Sequence, residues 1–203
     1  MSIFAIDANI PISFVQAGIW DIFEEYVKKS NHSVVMPVEV YEEARDLKTR
    51  TKLQQSDFIQ RIKVDEASFQ TVKSDCISIN KTVIQDNDYK LITSAFNKNA
   101  NYLVSNDFNL NKKATLYFQK HQNKMVGTKV ISPPGLFWLM YLERKDVFDL
   151  GINIRTNLEY YSIIEIDRMY KEVVNDKWDY GDCLSLFKMY SNHIQLAILD
   201  HTK

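Results

Sequence analysis

At 203 residues, 45% of them apolar, the chain is long and hydrophobic enough for one medium domain with a real core, or one domain with an appendage. The opening MSIFAIDANIPISF carries no basic leader and its apolar run breaks at Asp7; no later stretch nears the roughly 18 uninterrupted apolar residues of a membrane span, so a soluble, cytoplasmic protein without a membrane partner is expected. The net charge of −1 conceals an asymmetry, with 2 basic against 7 acidic residues over 1–43, 15 against 8 over 44–129, and 8 against 11 over 143–203.

Cys76 and Cys183 lie far apart, and His32, His121, His193 and His201 lack ligand spacing, so reduced thiols and no structural zinc are expected. Ile3 to Ile6 form a wholly apolar run ending at Asp7, as in a strand buried on both faces of a parallel sheet. Over about 17–30, Ile19, Ile22, Phe23, Tyr26 and Val27 recur at helical spacing, with acids early and Lys28 and Lys29 late, which suits the helix dipole. Ser33 to Met36 reads as a second strand, and Pro37 opens a helix carrying Val40, Tyr41, Glu42, Glu43 and Ala44. The polar segment from Lys48 to about Lys81 predicts one or two shorter helices. Asp88 to Asn97 places Leu91, Ile92, Ala95 and Phe96 on one helical stripe; Tyr102 to Ser105 follows as a strand with Asp107 just beyond it. A helix near 112–122, a strand near 126–131 and the Pro133-Pro134-Gly135 stop complete the alternation. Alternating strands and helices predict a three-layer α/β/α fold with a central parallel sheet over 1–135. Beyond it, helical patterns near 136–143, 158–175 and 181–199 predict a helical extension over 136–203.

Asp7 and Asp107 fall at C-terminal strand ends, where open parallel sheets bind ligands. The helix after the second strand supplies Glu42 and Glu43, and the helix before the third begins with Asp86 and Asp88, so carboxylates from four segments can converge. Such a cluster repels itself unless a cation is present, and oxygen-only donors point to Mg²⁺ or Mn²⁺, one ion or two. Taken singly, Asp7 and Asp88 suit helix caps, and Glu42 and Glu43 a solvated helix face. Their joint order is what favours a site; Asp86, Glu39 and Asp46 are read as surface charges.

The segments IFAIDANIP, MPVEVYEEA, DYKLITSA and YLVSNDFNL resemble, in order, the four signature regions of PIN-domain nucleases, including VapC-like ribonucleases, over about the first 132 residues. By that resemblance Asp7, Glu43, Asp88 and Asp107 are the catalytic, metal-holding acids, with Asn9 and Ser105 as supporting hydrogen-bonding groups. Glu43 stands three residues past Val40 and Asp88 seven before Ala95, with Glu42 and Asp86 as rivals; Ser105 stands where the family more often has threonine, and Asn109 where many members carry another acid. The reaction implied is metal-dependent hydrolysis of RNA phosphodiester bonds, leaving 5′-phosphate and 3′-hydroxyl ends. An acidic centre needs basic groups nearby to attract a polyanion, and Lys48, Arg50, Lys52, Lys112 and Lys113 are the expected RNA-binding residues, with Arg61, Lys63, Lys120, Lys124 and Lys129 in the same basic stretches.

Toxins of toxin–antitoxin pairs resemble this N-terminal region but usually stop near residue 135, so a toxin-like role with an antitoxin is set against the longer chain. In the extension, Tyr160, Tyr161, Trp178, Tyr180 and Phe187 are expected to be core, the alternative being a homodimer or protein-partner surface. A catalytically silent PIN module binding RNA or a protein is the second functional expectation. A phosphatase of the haloacid-dehalogenase kind, suggested by Asp7-Ala8-Asn9, lacks the second aspartate where Asn9 stands.

Overall fold

The computed structural model describes residues 1–16, 20–124 and 127–131, together with Leu136, Leu139, Met140 and Glu143. It is an α/β structure built on a five-stranded, wholly parallel sheet. The elements run β1 (Ile3–Ile6), α1 (Asn9–Gln16), α2 (Trp20–Lys29), β2 (Ser33–Pro37), α3 (Val38–Glu42), α4 (Leu47–Gln55), β3 (Ile59–Ile62), α5 (Glu66–Ile79), α6 (Asp86–Asn97), β4 (Tyr102–Val104), α7 (Phe108–Lys120) and β5 (Lys129–Ile131). The strand order is β3-β2-β1-β4-β5. The apolar runs of β1, β2 and β4 occupy the three central positions, where helices cover a parallel sheet and no alternation of polar residues is tolerated. Among the described residues no helix is long and apolar enough to cross a membrane.

Two of the strand entries use the same device. Asn31 and Asn99 adopt left-handed backbone, with φ of 53° and 49°, after α2 and α6. Asparagine tolerates that region better than most residues and so ends a helix as glycine does. The next amides close back on the helices, His32 N–H on the Val27 carbonyl and Ala100 N–H on the Ala95 carbonyl, both at 2.9 Å. Each helix is thereby turned directly into β2 or β4.

Three local features differ from the sequence reading. Residues 9–16 form a helix that periodicity does not reveal, because Ile10, Pro11, Ser13, Phe14 and Val15 are all buried and leave no polar face to define a stripe. The segment expected to be only helical contains the edge strand β3, whose central Gln60 and Arg61 are exposed, so it lacks the apolar run of its neighbours. The helix opened by Pro37 stops at Glu42, leaving Glu43 in the turn and Ala44 past it.

At residue 136 the structure continues into the same core. Leu136, Leu139 and Met140 are helical and buried with the sheet's apolar side chains. The carboxylate of Glu143 accepts from the Tyr26 hydroxyl at 2.8 Å and meets His32 Nε2 at 2.9 Å. These residues are therefore part of the α/β body, whereas the expected helices at 158–175 and 181–199 and the aromatics Tyr160, Tyr161, Trp178, Tyr180 and Phe187 lie outside the described residues.

Candidate active site

From β1 the chain builds outward through β2 to β3, then crosses to the other side for β4 and β5, so the order reverses between β1 and β4. Helices leave the sheet in opposite senses at such a point and open a crevice beyond the strand ends. Asp7 follows β1 there, and Ser105 and Asp107 follow β4.

Asp7 is only 5% exposed, yet both of its oxygens are hydrogen-bonded. Oδ1 accepts the Ala8 N–H at 2.7 Å, and Oδ2 accepts the Ser105 hydroxyl at 2.7 Å and the Asn9 amide at 3.2 Å. Burial pushes the Asp7 carboxyl up to about 6, with the charge of Glu43 adding to it and the donors from Ser105, Ala8 and Asn9 pulling the other way. Ser105 is a hub: its Oγ also accepts the Asp107 N–H at 3.0 Å, and its carbonyl accepts Asn111 Nδ2 at 2.9 Å.

Asp107 is exposed and caps α7, its Oδ1 accepting the Leu110 N–H at 2.8 Å. Asp88 lies in the first turn of α6, where one oxygen accepts the Gln85 N–H at 2.8 Å in a capping box. Burial pushes Asp88 up to about 7, and the negative charges of Asp7, Asp107 and Glu43 push it further in that direction. One carboxyl is thus within electrostatic range of all three of the others. Glu43 rather than Glu42 bears on both Asp7 and Asp88. Asp86 is tied to Lys73 at 2.7 Å on the α5 side.

Sequence reasoning missed Asn87, whose Nδ2 donates to Glu43 Oε1. One helical turn on, Lys90 bonds Glu39 at 2.7 Å, so α3 and the turn that ends it are joined to α6 by two polar rungs. The i,i+4 spacing of Glu39 and Glu43 and the i,i+3 spacing of Asn87 and Lys90 are the only sequence signals for this pairing.

No family model, curated protein or solved structure matches the chain. What the site can do is therefore read from its own chemistry. Among the described residues, no three or more His, Cys, Asp or Glu side chains are gathered closely enough to hold a metal ion as they stand. The donor set still fits a hard divalent cation, because it is all oxygen, and burial, with neighbouring negative charge adding to it, leaves Asp7 and Asp88 without a balancing positive charge. Asp88 and Asp107 each have an oxygen without a hydrogen bond to any described residue.

The basic residues are less gathered than the acids. Lys48 and Arg50 are exposed on α4, Lys52 is paired with Asp21 at 2.6 Å, and Lys112 is exposed on α7. Arg61 lies 4.2 Å over the Tyr41 ring at the sheet's β3 edge. Lys113 corrects the sequence reading: it is 1% exposed and its ammonium donates to the Asn80 carbonyl at 2.6 Å, so it is not available to a phosphate. Its position between Leu110 and Tyr117 puts it on the buried stripe of α7.

Proposed function

We propose that this chain is a PIN-like, Mg²⁺- or Mn²⁺-dependent endoribonuclease. The observation that supports it best is the buried Asp7 carboxylate at the strand-order reversal, joined through the Ser105 hydroxyl to the backbone of Asp107, with the charges of Glu43 and Asp88 in range of it. In this reading Asp7, Asp88, Asp107 and Glu43 hold the ion. When bound, it neutralises phosphate charge and makes water a competent nucleophile near neutral pH. Ser105 and Asn9 fix the Asp7 carboxylate in one orientation, since both donate to the same oxygen. Glu43, exposed at the rim, orients the attacking water or completes the donor set. RNA as substrate and 5′-phosphate products come from the sequence resemblance; the three-layer arrangement comes from the alternation of strands and helices, and a cytoplasmic location from the sequence's lack of a basic leader or apolar span. A helical extension, counted from beyond Glu143, comes from the helical patterns there, and its aromatics are the ground for a homodimer or protein partner; an antitoxin is set against the chain's length.

One observation favours a second reading, a catalytically silent module that binds RNA or a protein. Asp88 and Asp107 already serve as helix-capping groups, a role that needs no metal.

Cleavage of single-stranded and structured RNAs with Mg²⁺ or Mn²⁺ separates the two. The wild type is expected to cut and to stop with EDTA. Asp7→Asn, Glu43→Gln, Asp88→Asn and Asp107→Asn are expected to lose about 100-fold or more, while Glu42→Gln and Asp86→Asn cut normally. Equal cutting by all variants would indicate a contaminant. No cutting, with no metal-induced rise in Tm, would leave the silent module.

A further inference from the structure

Glu43 stands just past the five-residue helix α3, exposed, with no following helical turn to restrain it. A glutamate so placed loses substantial rotamer freedom when it is held in one orientation. Its hydrogen-bond partner among the described residues is Asn87, which immediately precedes Asp88 in the first turn of α6. The carboxylate can only accept, so the amide must donate. The neighbouring rung differs in kind: Lys90 meets Glu39 as an ion pair and offsets its charge. A neutral donor restrains Glu43 while leaving its full negative charge for a cation.

We propose that Asn87 is a positioning residue that holds Glu43 towards Asp7 and Asp88 for divalent-cation binding. This rests on the metal-centre reading given above. The Lys90–Glu39 rung sets the spacing of α3 and α6, and the Asn87–Glu43 rung sets the direction of one ligand.

The test measures Mn²⁺ affinity by calorimetry and metal-free Tm for the full chain, as wild type, Asn87→Ala and Asn87→Gln. Asn87→Ala is expected to bind Mn²⁺ about 10-fold more weakly, within the range for lost supporting hydrogen bonds. Its metal-free Tm should move by less than about 2 °C, as for most surface substitutions. Asn87→Gln, which keeps the donor, should recover most of the affinity. Unchanged affinity in Asn87→Ala would overturn the proposal and leave the metal centre standing. A weakened Asn87→Ala with an equally weak Asn87→Gln and a lowered Tm would reduce Asn87 to a structural role. A wild type that takes up no Mn²⁺ would remove the centre itself and the proposal with it.

Discussion

The Ser105 hydroxyl donates to Asp7 Oδ2 at 2.7 Å while accepting the backbone N–H of Asp107 at 3.0 Å, so one buried side chain links two of the four acids. Ser105→Ala leaves a buried carboxylate oxygen and a backbone N–H each short of a partner. The expected loss is about 1–3 kcal/mol of stability by chemical denaturation. Mn²⁺-dependent cleavage should fall about 10- to 100-fold, as when a ligand's supporting bond is removed. Ser105→Thr keeps the hydroxyl and should retain most activity. A Ser105→Ala protein with undiminished cleavage would detach Ser105 from the proposed site.

The raised acids set a pH dependence of known sign. Burial lifts Asp7 from 3.8 to about 6 and Asp88 from 3.8 to about 7. For an acid raised on folding, the stabilising contribution is complete below the unfolded value and is lost as pH rises through the folded one. Metal-free protein should therefore lose stability from these two groups between about pH 4 and pH 7. Asp7→Asn should flatten that slope and raise the metal-free Tm at pH 8 by roughly 2–4 °C for each kcal/mol of charge burial and repulsion relieved. Mg²⁺ should raise the wild-type Tm more at pH 8 than at pH 5, since protons and cation compete for the same oxygens. Thermal melts of the two proteins at those pH values, with and without Mg²⁺, check each step. An Asp7→Asn slope equal to the wild type would place the pH dependence elsewhere.

The parts of this site that could be read in sequence are those set by local pattern. Ile3–Ile6 and Tyr102–Val104 are apolar runs that can only be central strands, and each delivers an acid to its end. Asp88 was placed by the stripe of Leu91, Ile92 and Ala95 behind it. Asn87 was not legible because its partner is 44 positions away and nothing local marks an asparagine as a donor to it. β3 was missed because an edge strand need not be apolar, and Arg61 is exposed on it. The burial of Lys113 was hidden by counting charges along the chain; counting its place on the helix, three after Leu110 and four before Tyr117, puts it inside.

Lys112 and Lys113 are adjacent and should behave in opposite ways. Lys112→Ala removes an exposed charge on α7, and RNA affinity should weaken with the slope of log affinity against log salt falling by roughly 0.7–1. Lys113→Ala removes a buried amine that bonds the Asn80 carbonyl and lies 5.7 Å from the Tyr89 ring. It should cost about 1–3 kcal/mol of stability and leave the salt slope unchanged. Equilibrium binding of single-stranded RNA at several salt concentrations, with Asp7→Asn as the parent to suppress the proposed cleavage, distinguishes them. A salt slope that responds to Lys113 would restore it to the binding surface.

Leu139 tests whether the α/β body ends before or after residue 135. It is 5% exposed and belongs to the same buried cluster as Leu136, Met140 and the side chains of β1 and β2. Removing a buried leucine side chain loses its transfer free energy and leaves a cavity, so Leu139→Ala should cost about 2–5 kcal/mol. Because the cluster is shared, that loss should appear as a lower midpoint of the whole unfolding transition by both far-UV circular dichroism and Trp20 fluorescence, read in a background where Trp138 and Trp178 are replaced by phenylalanine. A separate appendage would instead give a second transition, with the Trp20 signal keeping its original midpoint. Coincident shifts would extend the body at least to Met140, and Glu143, bonded to Tyr26 on α2, would mark where its polar edge begins.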